Sequence, residues 1–381
     1  MATYRSPWMT DELETFRTTV RRFFAEYVEP YQKQRRDAGH IDRAVWRKAG
    51  ELGLLAIGIP EECGGHGATF AHEVVVMEEQ ARIADTSFPY VPGSVGVPYM
   101  LMKNATREQT LKWMPALVSG ETVLALCVTE PEAGSDVKNI RSTAVRQGDE
   151  YIVNGSKTFI TMGSQADRAL IAARTGGPGK DGLSMFMVET NSPGFKVGRR
   201  LDKVGQGAID THEVFFDDLR IPAENLLGGV EGKAFSGAMS GFHRERLAIA
   251  LTAVATAEVA VEQAVEYAKQ RKMFDQTLWH FQNTRYTLAE CATEARVARI
   301  FIDNLILRVQ EGDPLDNATS AMAKLWCTQR QCQIIDQCLQ FFGGNGYMLD
   351  YPIARLYADA RVQRIYGGAS EALKGIIAKS L

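Results

Sequence analysis

One carboxylate in this sequence is flanked by two positive charges, in a setting where it could act as a general base. The run Arg244-Glu245-Arg246-Leu247 places Glu245 between two guanidinium groups. A positioned glutamate that accepts a proton is a common general base in enzymes. The same pattern also occurs on the exposed face of a helix, where the charges only interact with solvent and with each other. The local sequence therefore leaves both interpretations open for Glu245.

A second segment has the composition of a ligand-binding turn. Residues 126–136 read LCVTEPEAGSD, a strand-like run that ends in a turn containing proline and glycine. Such a turn presents a hydroxyl and free backbone N–H groups together, which suits the pyrimidine edge of a flavin or a pyrophosphate. An ordinary exit from a strand into a loop contains the same residue types. The spacing alone does not decide between the two.

Three further segments carry an aromatic ring, a hydroxyl or an arginine that could contact a cofactor. They are Phe159-Ile160-Thr161, the run RKMFDQ at 271–276 with Gln282, and the run QFFGGNGY at 340–347. Arginine suits a phosphate because its rigid fork can grip two oxygens. Each segment also has an ordinary interpretation: Phe159 as core packing, Arg271 as part of a solvated charged run, and the glycines near 343 as a helix stop.

The pattern of apolar residues divides the chain into three parts that must position these segments. Residues 1–121 and 232–381 have apolar residues at helical spacings, whereas residues 122–231 contain short apolar runs typical of strands. Asn154-Gly155 lies between two such runs and predicts a hairpin turn, because both turn residues need positive φ. The sequence therefore predicts an α+β fold, with a helical bundle, a middle β domain and a second helical bundle.

Composition argues against several classes of protein. The net charge is -3 and there is no basic stripe, which gives no case for binding nucleic acid or an anionic membrane. The six cysteines are scattered, without the paired spacing of zinc or redox sites, so we expect reduced thiols and no metal. No run approaches the roughly eighteen apolar residues of a membrane span. The first residues lack the apolar segment of a signal peptide, so the expected setting is cytoplasmic.

Taken in order along the chain, these segments resemble the motifs of acyl-CoA dehydrogenases. The similarity runs from about residue 10 to the end. In most branches of that family the catalytic glutamate follows a tyrosine near the C terminus, where this chain has Tyr366-Gly367-Gly368. Glu245 stands at the alternative position used by the long-chain and isovaleryl branches, and the YGG ending is itself similar to the long-chain branch. The resemblance therefore implies that Glu245 is the base.

The resemblance also implies that the chain binds FAD and that defined residues hold it. In the family, the threonine equivalent to Thr129 bonds the flavin ring, an aromatic at the position of Phe159 lies against the flavin, and a hydroxyl at the position of Thr161 bonds N5. The segments around Arg271 and Gln340 complete the FAD site of a neighbouring subunit in a homotetramer. The implied cofactor-binding residues are Cys127, Val128, Thr129, Gly134, Ser135, Phe159, Thr161, Arg271, Phe274, Gln282, Gln340, Gly343 and Gly344. The implied substrate-binding residues are Ser135, Phe242, Arg246, Tyr366 and Gly368, with Glu245 and Gly367 as the catalytic positions.

Three residues depart from the family pattern. Phe159 replaces a tryptophan seen in many relatives, Asp275 stands where glycine is usual, and Ala369 stands where relatives carry a threonine near the cofactor. The first change keeps an aromatic face but loses an indole N–H. The other two could weaken FAD binding without preventing it.

The implied reaction is the α,β-dehydrogenation of an acyl-CoA thioester to the trans-2-enoyl thioester, as in fatty-acid β-oxidation. In the family, flavin N5 accepts the hydride and an electron-transferring flavoprotein then takes the electrons. Three alternatives remain open from the sequence: a dehydrogenase of carrier-protein thioesters, a flavin oxidase or monooxygenase of the same fold, and a catalytically silent relative. The identity of the acyl group is not readable from these residues.

Overall fold

The computed structural model describes residues 4–313 and 315–381, with the backbone alone for 234–241. Helices form both ends of the chain and strands form its middle, as the apolar spacing predicts. Since the sheet lies between two helical parts in the sequence, residues from all three parts can meet at one place.

The N-terminal part is helical, and polar residues mark where two of its helices begin. Thr10 caps the first helix, because its hydroxyl accepts a hydrogen bond from the backbone N–H of Leu13 at 3.2 Å. Thr106 and Gln109 form a reciprocal capping box at the last helix of this part. A π-helical turn, Val91–Gly96, leads into the fifth helix. The helices are α1 Asp11–Tyr27, α2 Gln32–Ala38, α3 Arg43–Glu51, α4 Phe70–Arg82, α5 Val97–Asn104 and α6 Arg107–Val118.

The middle part is a curled seven-stranded sheet. Its strands are β1 Leu124–Cys127, β2 Thr143–Gln147, β3 Glu150–Thr161, β4 Arg168–Arg174, β5 Leu183–Glu189, β6 Phe195–Arg200 and β7 Thr211–Pro222. The order across the sheet is β1-β4-β2-β3-β7-β6, and β5 also pairs with β4. Strand β1 runs parallel to β4, whereas β3 and β7 pair in antiparallel fashion along most of their length.

The hairpin predicted at Asn154-Gly155 is wrong, because both residues lie inside the continuous strand β3. Gly155 has a φ of +148° and lies at a break in the register between β3 and β7, so the dipeptide forms a bulge instead of a turn. Asn154 pairs across this bulge with Asp218, donating from Nδ2 to Oδ1 at 2.9 Å. A Cβ on Gly155 would lie 2.3 Å from the Oγ of Ser142. The glycine is therefore explained by a close approach between neighbouring strands.

The C-terminal part is built around one long helix. Its helices are α7 Ala234–Gln270, α8 Gln282–Gln310, α9 Asn317–Gln340, α10 Pro352–Ala360 and α11 Ser370–Ala378, and a two-stranded ribbon joins α7 to α8 through β8 Lys272–Met273 and β9 Gln276–Thr277. Helix α7 packs into one apolar cluster with the N-terminal helices, through residues such as Leu247, Leu251 and Val254. The helix that carries Glu245 is therefore fixed against both helical parts of the chain.

Part of α7 is long and apolar enough, by length and composition, to cross a membrane. This segment is Phe242–Gln270, and 72% of its most apolar window is buried inside the protein. Core helices of globular proteins pass the same test, so the segment is weak evidence for a membrane span.

Candidate active site

A cavity of about 210 Å³ lies where the three parts of the chain meet. The π-helical turn and α5 form one wall, strands of the sheet and the loop after β6 form another, and α7 with the C-terminal turn closes the third. The lining residues are Val91, Pro92, Gly96, Val97, Met100, Leu126, Phe159, Thr161, Met162, Gln206, Ile209, Phe242, Glu245 and Tyr366. Five of these were predicted from the sequence as site residues: Phe159, Thr161, Phe242, Glu245 and Tyr366.

Glu245 is the only carboxylate among the described residues that line this cavity. It lies on α7 against the turn that precedes α5, and a Cβ added to Gly96 would be 3.8 Å from its Cδ. Among the described side chains, Glu245 has no hydrogen-bond or ion-pair partner. Burial raises the pKa of Glu245, while the positive charges of Arg246 and Lys324 act in the opposite direction. An unpaired carboxylate of raised pKa in a cavity has the properties of a general base.

Tyr366 lines the same cavity as Glu245, and the turn that follows it requires its two glycines. Gly367 and Gly368 have φ values of +62° and +102°, a region that side chains rarely adopt. Arg246 donates from Nε to the carbonyl oxygen of Gly367 at 3.3 Å, and Lys324 donates from Nζ to that of Gly368 at 2.6 Å. The N–H of Gly367 donates to no other group in the described chain. It is therefore available to bind a ligand.

Lys324 was not predicted from the sequence. Its side chain is fully buried, and burial lowers its pKa from 10.5 to about 8, helped by the nearby charge of Arg246. The signal that could have found it is a single charged residue on the apolar face of α9, between Ala321, Ala323 and Cys327. A buried lysine needs a polar partner, and here the carbonyl of Gly368 supplies it.

A second group of buried polar residues behind Glu245 also escaped the sequence interpretation. Arg244 forms an ion pair with Glu73 of α4, with 2.6 Å between Nη2 and Oε2, and Tyr99 donates its hydroxyl to the same carboxylate. The guanidinium also stacks over the ring of Tyr99 at 3.8 Å. This network fixes the turn of α7 immediately before Glu245. Arg244 is therefore not a solvated surface charge.

The face of the cavity formed by the sheet carries Phe159 in a strained conformation. Its φ is +60° and 67% of its surface is exposed, so the core-packing interpretation is wrong. Strained residues of this kind often mark functional sites. Thr158 donates its N–H to the carbonyl oxygen of Thr129 at 2.9 Å, which brings the end of β1 beside the end of β3. The predicted residues Thr129 and Thr161 are therefore close to the same edge of the sheet.

The turn that follows β1 is held from below by a buried acid. Glu130 accepts hydrogen bonds from the backbone of Arg141 and Ser142 and pairs with the buried Lys157 at 2.8 Å. Gly134 and Ser135 are exposed beyond this anchor, while Cys127 points into the core of the sheet and Val128 is half-buried. The side chain of Cys127 is inert packing, and burial raises its pKa to about 12. Only the backbone of Cys127 could serve a ligand.

Six predicted cofactor residues lie on the surface and away from the cavity. They are exposed at the ends of α7, α8 and α9: Arg271, Phe274, Gln282, Gln340, Gly343 and Gly344. Phe274 is 80% exposed with a φ of +51°. Within one chain these residues do not meet Glu245. Their role in the site of a neighbouring subunit stays a prediction.

The described residues leave room for a large flat ligand beside the cavity. A Cβ added at Gly134, in the turn after β1, would meet no heavy atom within 4 Å, so this glycine faces open space. Phe159 offers an exposed aromatic face at the cavity, and Thr161 offers a hydroxyl. The donor set contains no cluster of metal ligands among the described residues. The site therefore suits an aromatic cofactor with hydrogen-bonding edges.

Comparisons with known proteins agree with this architecture. Three family models cover the chain: acyl-CoA dehydrogenase N-terminal domain at residues 10–121, middle domain at 125–219 and C-terminal domain at 232–381. The long-chain specific acyl-CoA dehydrogenase of Mus musculus is 41% identical over 98% of this chain and 87% of its own length. The crystal structure of an acyl-CoA dehydrogenase from Geobacillus kaustophilus has a TM-score of 0.95 and 39% identity, with 99% of both chains covered. A glutaryl-CoA dehydrogenase of Mycobacterium smegmatis, solved in complex with FADH2, is 25% identical with a TM-score of 0.89, over 98% of this chain and 95% of its own.

The chain belongs to the acyl-CoA dehydrogenase family, which confirms the resemblance and the fold predicted from the sequence. Members of this family are FAD-dependent oxidoreductases that act on CH–CH groups. The chain is therefore an enzyme for acyl-CoA dehydrogenation in general terms.

Proposed function

We propose that the protein catalyses α,β-dehydrogenation of an acyl-CoA thioester to the trans-2-enoyl thioester, with Glu245 as the base. The observation that carries this proposal is the position of Glu245 in the wall of the cavity, without a partner among the described residues. Tyr366 lines the same cavity, and the N–H of the next residue, Gly367, has no acceptor in the described chain. Gly367 occupies the place where most of the family has its catalytic glutamate, so no second carboxylate competes for the role. The alternative of a catalytically silent relative is disfavoured because Glu245, the proposed base, is present and lines the cavity.

The α-proton of a thioester is too weakly acidic for an unassisted carboxylate, so the site must stabilise the developing enolate. The N–H of Gly367 is a donor with no partner in the described chain, which suits the thioester carbonyl. Arg246 and Lys324 hold the two neighbouring carbonyls and keep the turn in its positive-φ conformation. The donor is thus preorganised before the substrate arrives.

The electrostatic environment adjusts the strength of the base. Burial raises the pKa of Glu245, which makes its carboxylate a better proton acceptor. The positive charges of Arg246 and Lys324 oppose that rise and favour the ionised form. Glu245 would take the α-proton and hold it at a carboxyl oxygen until product leaves.

FAD would be held by Thr129, Ser135, Phe159 and Thr161 of the same chain, and when bound it supplies a hydride acceptor at N5 for the β-hydrogen. Arg271, Phe274, Gln282 and the segment from Gln340 to Gly344 would complete the site of a second subunit in a homotetramer. Their exposure and the open space at Gly343 and Gly344 support this assignment. An electron-transferring flavoprotein would then take the electrons, as in the family.

The decisive experiment mixes the FAD-loaded protein anaerobically with acyl-CoAs that differ in length and branching, and follows bleaching of the flavin absorbance. We expect at least one acyl-CoA to bleach the parent protein. Glu245→Gln should still bind that substrate, but the rate of flavin reduction should fall by roughly a hundredfold to ten-thousandfold. The matched control is Glu262→Gln, an exposed position on the same helix, which should behave as the parent.

Three outcomes would contradict the proposal in different ways. If Glu245→Gln reduces its flavin as fast as the parent, the base lies elsewhere, and the exposed Glu371 is the next residue to change. If only carrier-protein thioesters bleach the flavin, the substrate is not a CoA thioester. If the reduced protein reacts rapidly with oxygen, the flavin oxidase or monooxygenase alternative is correct.

A further inference from the structure

A second, smaller cavity of about 80 Å³ lies behind the candidate active site. Five residues line both cavities: Val91, Pro92, Gln206, Ile209 and Tyr366. We call the second cavity the inner chamber. Because the two cavities share these wall residues, the inner chamber lies next to the cavity that contains Glu245. With a volume of about 80 Å³, the chamber has room for several water molecules or a short length of acyl chain.

Two hydrogen-bond acceptors in the walls of the inner chamber have no partner. Gln331 on α9 is 1% exposed and Gln363 is 5% exposed, and the Oε1 atom of each is buried without a hydrogen bond in the described chain. Native proteins rarely leave such groups unsatisfied. The hydroxyl of Tyr90, which also lines the chamber, is likewise buried without a partner in the described chain. Leaving such groups unpaired is costly, so the chamber suits a ligand that both donates and accepts hydrogen bonds, as a hydroxyl does.

The orientation of the Gln331 amide is fixed by its neighbours. Thr256 donates its hydroxyl to the carbonyl oxygen of Thr252 at 2.8 Å, so its oxygen must act as the acceptor toward Gln331. Gln331 therefore presents Nε2 to Thr256, at 2.6 Å, and its Oε1 is left for the chamber. A flipped amide would place two acceptors against each other. The chamber thus offers an acceptor at Gln331, not a donor.

Acidic groups near the same chamber disfavour a negatively charged ligand. Asp85 and Asp359 line it, and burial raises the pKa of each carboxyl group. Neither forms an ion pair of 4 Å or less among the described residues. A ligand that carries a carboxylate would have to bury its charge in a chamber whose described lining contains no lysine or arginine, which is costly. A neutral donor such as a hydroxyl adds no charge to the chamber and can still form hydrogen bonds with its walls.

We propose that the inner chamber binds the distal end of the acyl group and that this end carries a hydroxyl. Its one hydrogen is donated to Oε1 of Gln331, and its oxygen accepts from the amide of Gln363, which no described neighbour holds in one orientation. The substrate class is thus an ω-hydroxyacyl thioester or one with a hydroxyl near the end of the chain. The assignment rests on the proposed function for the entry of the acyl group past Glu245. It goes beyond that function because the family reaction itself does not require a polar acyl terminus.

The test compares acyl-CoAs in sets of three with the same chain length: an unsubstituted chain, its ω-hydroxy counterpart and its ω-carboxy counterpart. Sets from butanoyl to hexadecanoyl are titrated into the FAD-loaded protein by calorimetry, and kcat/KM is measured separately for each. Short chains that do not reach the chamber should show no preference for the hydroxyl. At the length that reaches it, the hydroxy compound should bind roughly tenfold or more tightly than the unsubstituted chain, and the carboxy compound should bind least.

Two variants remove one amide group each. Gln331→Met and Gln363→Met keep an unbranched side chain of similar size but should reduce or reverse the preference for the hydroxyl. Gln333→Met, an exposed position on the same helix, is the matched control and should keep it. If a variant fails to fold, the comparison of ligands on the parent protein still decides the matter.

The binding and kinetic readouts separate failure of this inference from failure of the proposed function. A hydroxyl preference in calorimetry without turnover would support the chamber and contradict the dehydrogenase mechanism. Turnover of unsubstituted acyl-CoAs, with the hydroxy compounds equal or worse at every length, would overturn the inference and leave the proposed function standing.

Discussion

Moving the base from Glu245 to position 367 tests the geometry of the C-terminal turn. Gly367 stands where most of the family has its catalytic glutamate, so Gly367→Glu in a Glu245→Gln background should return a carboxylate to the cavity. The structure shows an obstacle, because a Cβ at position 367 would lie 2.6 Å from the Cδ1 of Ile249, and real Cβ atoms essentially never show contacts below 3.0 Å. Ile249 is 1% exposed and cannot swing into solvent.

Placing a side chain at position 367 should destabilise the protein in two ways, through backbone strain and through the contact with Ile249. A side chain at a φ of +62° should cost about 1–2 kcal/mol of the free energy of unfolding, whatever its neighbours do. The contact with Ile249 adds a steric cost that Ile249→Val removes, because valine lacks the Cδ1 atom. That substitution alone should cost about 0.5–1.5 kcal/mol. In the Gly367→Glu background, the loss of unfolding free energy caused by Ile249→Val should shrink or change sign, since a side chain at position 367 would contact Ile249.

The assay combines urea unfolding with anaerobic flavin reduction by a substrate of the parent protein. Glu245→Gln with Gly367→Glu should recover little activity, and adding Ile249→Val should recover more. The control is Glu245→Gln with Ile249→Val, which has no new carboxylate and should stay inactive. Equal recovery with and without Ile249→Val would refute the steric argument. No recovery in either variant would show that a side chain at position 367 does not reach the α-carbon.

Three further predictions concern charge. Burial raises the pKa of Glu245 above the 4.5 of an unfolded chain, so stability falls as the pH rises from 4.5 to the folded pKa, and the loss is complete above it. Glu245→Gln should therefore stabilise the protein more at about pH 8 than at about pH 4, measured by urea unfolding. Burial lowers the pKa of Lys324 to about 8, so between pH 8 and 10.5 the unfolded state binds more protons than the folded state, and stability should rise with pH. Lys324→Met should flatten this rise. It should also move the acid limb of the kcat/KM profile to higher pH, because a charge that lowers the pKa of Glu245 is lost. Glu73→Gln should cost about 3–5 kcal/mol of unfolding free energy, because it leaves Arg244 without its buried partner; a smaller loss than 1 kcal/mol would show that the ion pair contributes little.

The helical parts could be predicted, and Glu245 could be proposed as the base, because these signals are local or follow from ordered motifs. The spacing of Leu247, Leu251 and Val254 reports one face of α7 directly, and Gly367 at the position of the family glutamate leads to Glu245 by comparison. The confirmed fold and family rest on these signals. Neither signal depends on which helices and strands are in contact in the folded chain.

The Asn154-Gly155 dipeptide shows where local reasoning failed. Its preference for positive φ was interpreted as a turn, but the same freedom serves a bulge, and only the pairing of β3 with β7 separates the two. The pairing depends on residues some sixty positions away, such as Asp218, which bonds Asn154. The alternative of core packing for Phe159 is wrong for the same reason, because its exposure depends on the cavity and not on its hydrophobicity.

Lys324 and Glu73 could not be assigned from the sequence because their partners are distant in the chain. Lys324 meets Gly368 and Glu73 meets Arg244, over separations of 44 and 171 residues. Each is a charged residue in an apolar helix, which predicts burial with a partner but does not say which partner. The surface residues around Arg271 are predicted to bind the FAD of a neighbouring subunit, so contacts within one chain do not identify their role.

Two buried cations link the geometry of the site to its electrostatics. Arg246 and Lys324 hold the carbonyl oxygens of Gly367 and Gly368, and the charges of both oppose the effect of burial on the pKa of Glu245. The position of the Gly367 N–H and the basicity of the carboxylate therefore depend on the same two side chains. Neutralising Lys324 should change thioester affinity and the acid limb of the pH profile together, because it removes a bond to the turn and a charge near the base. A change that only loosens packing, such as Ile249→Val, should leave the acid limb in place, so the two kinds of coupling can be told apart by the pH profile alone.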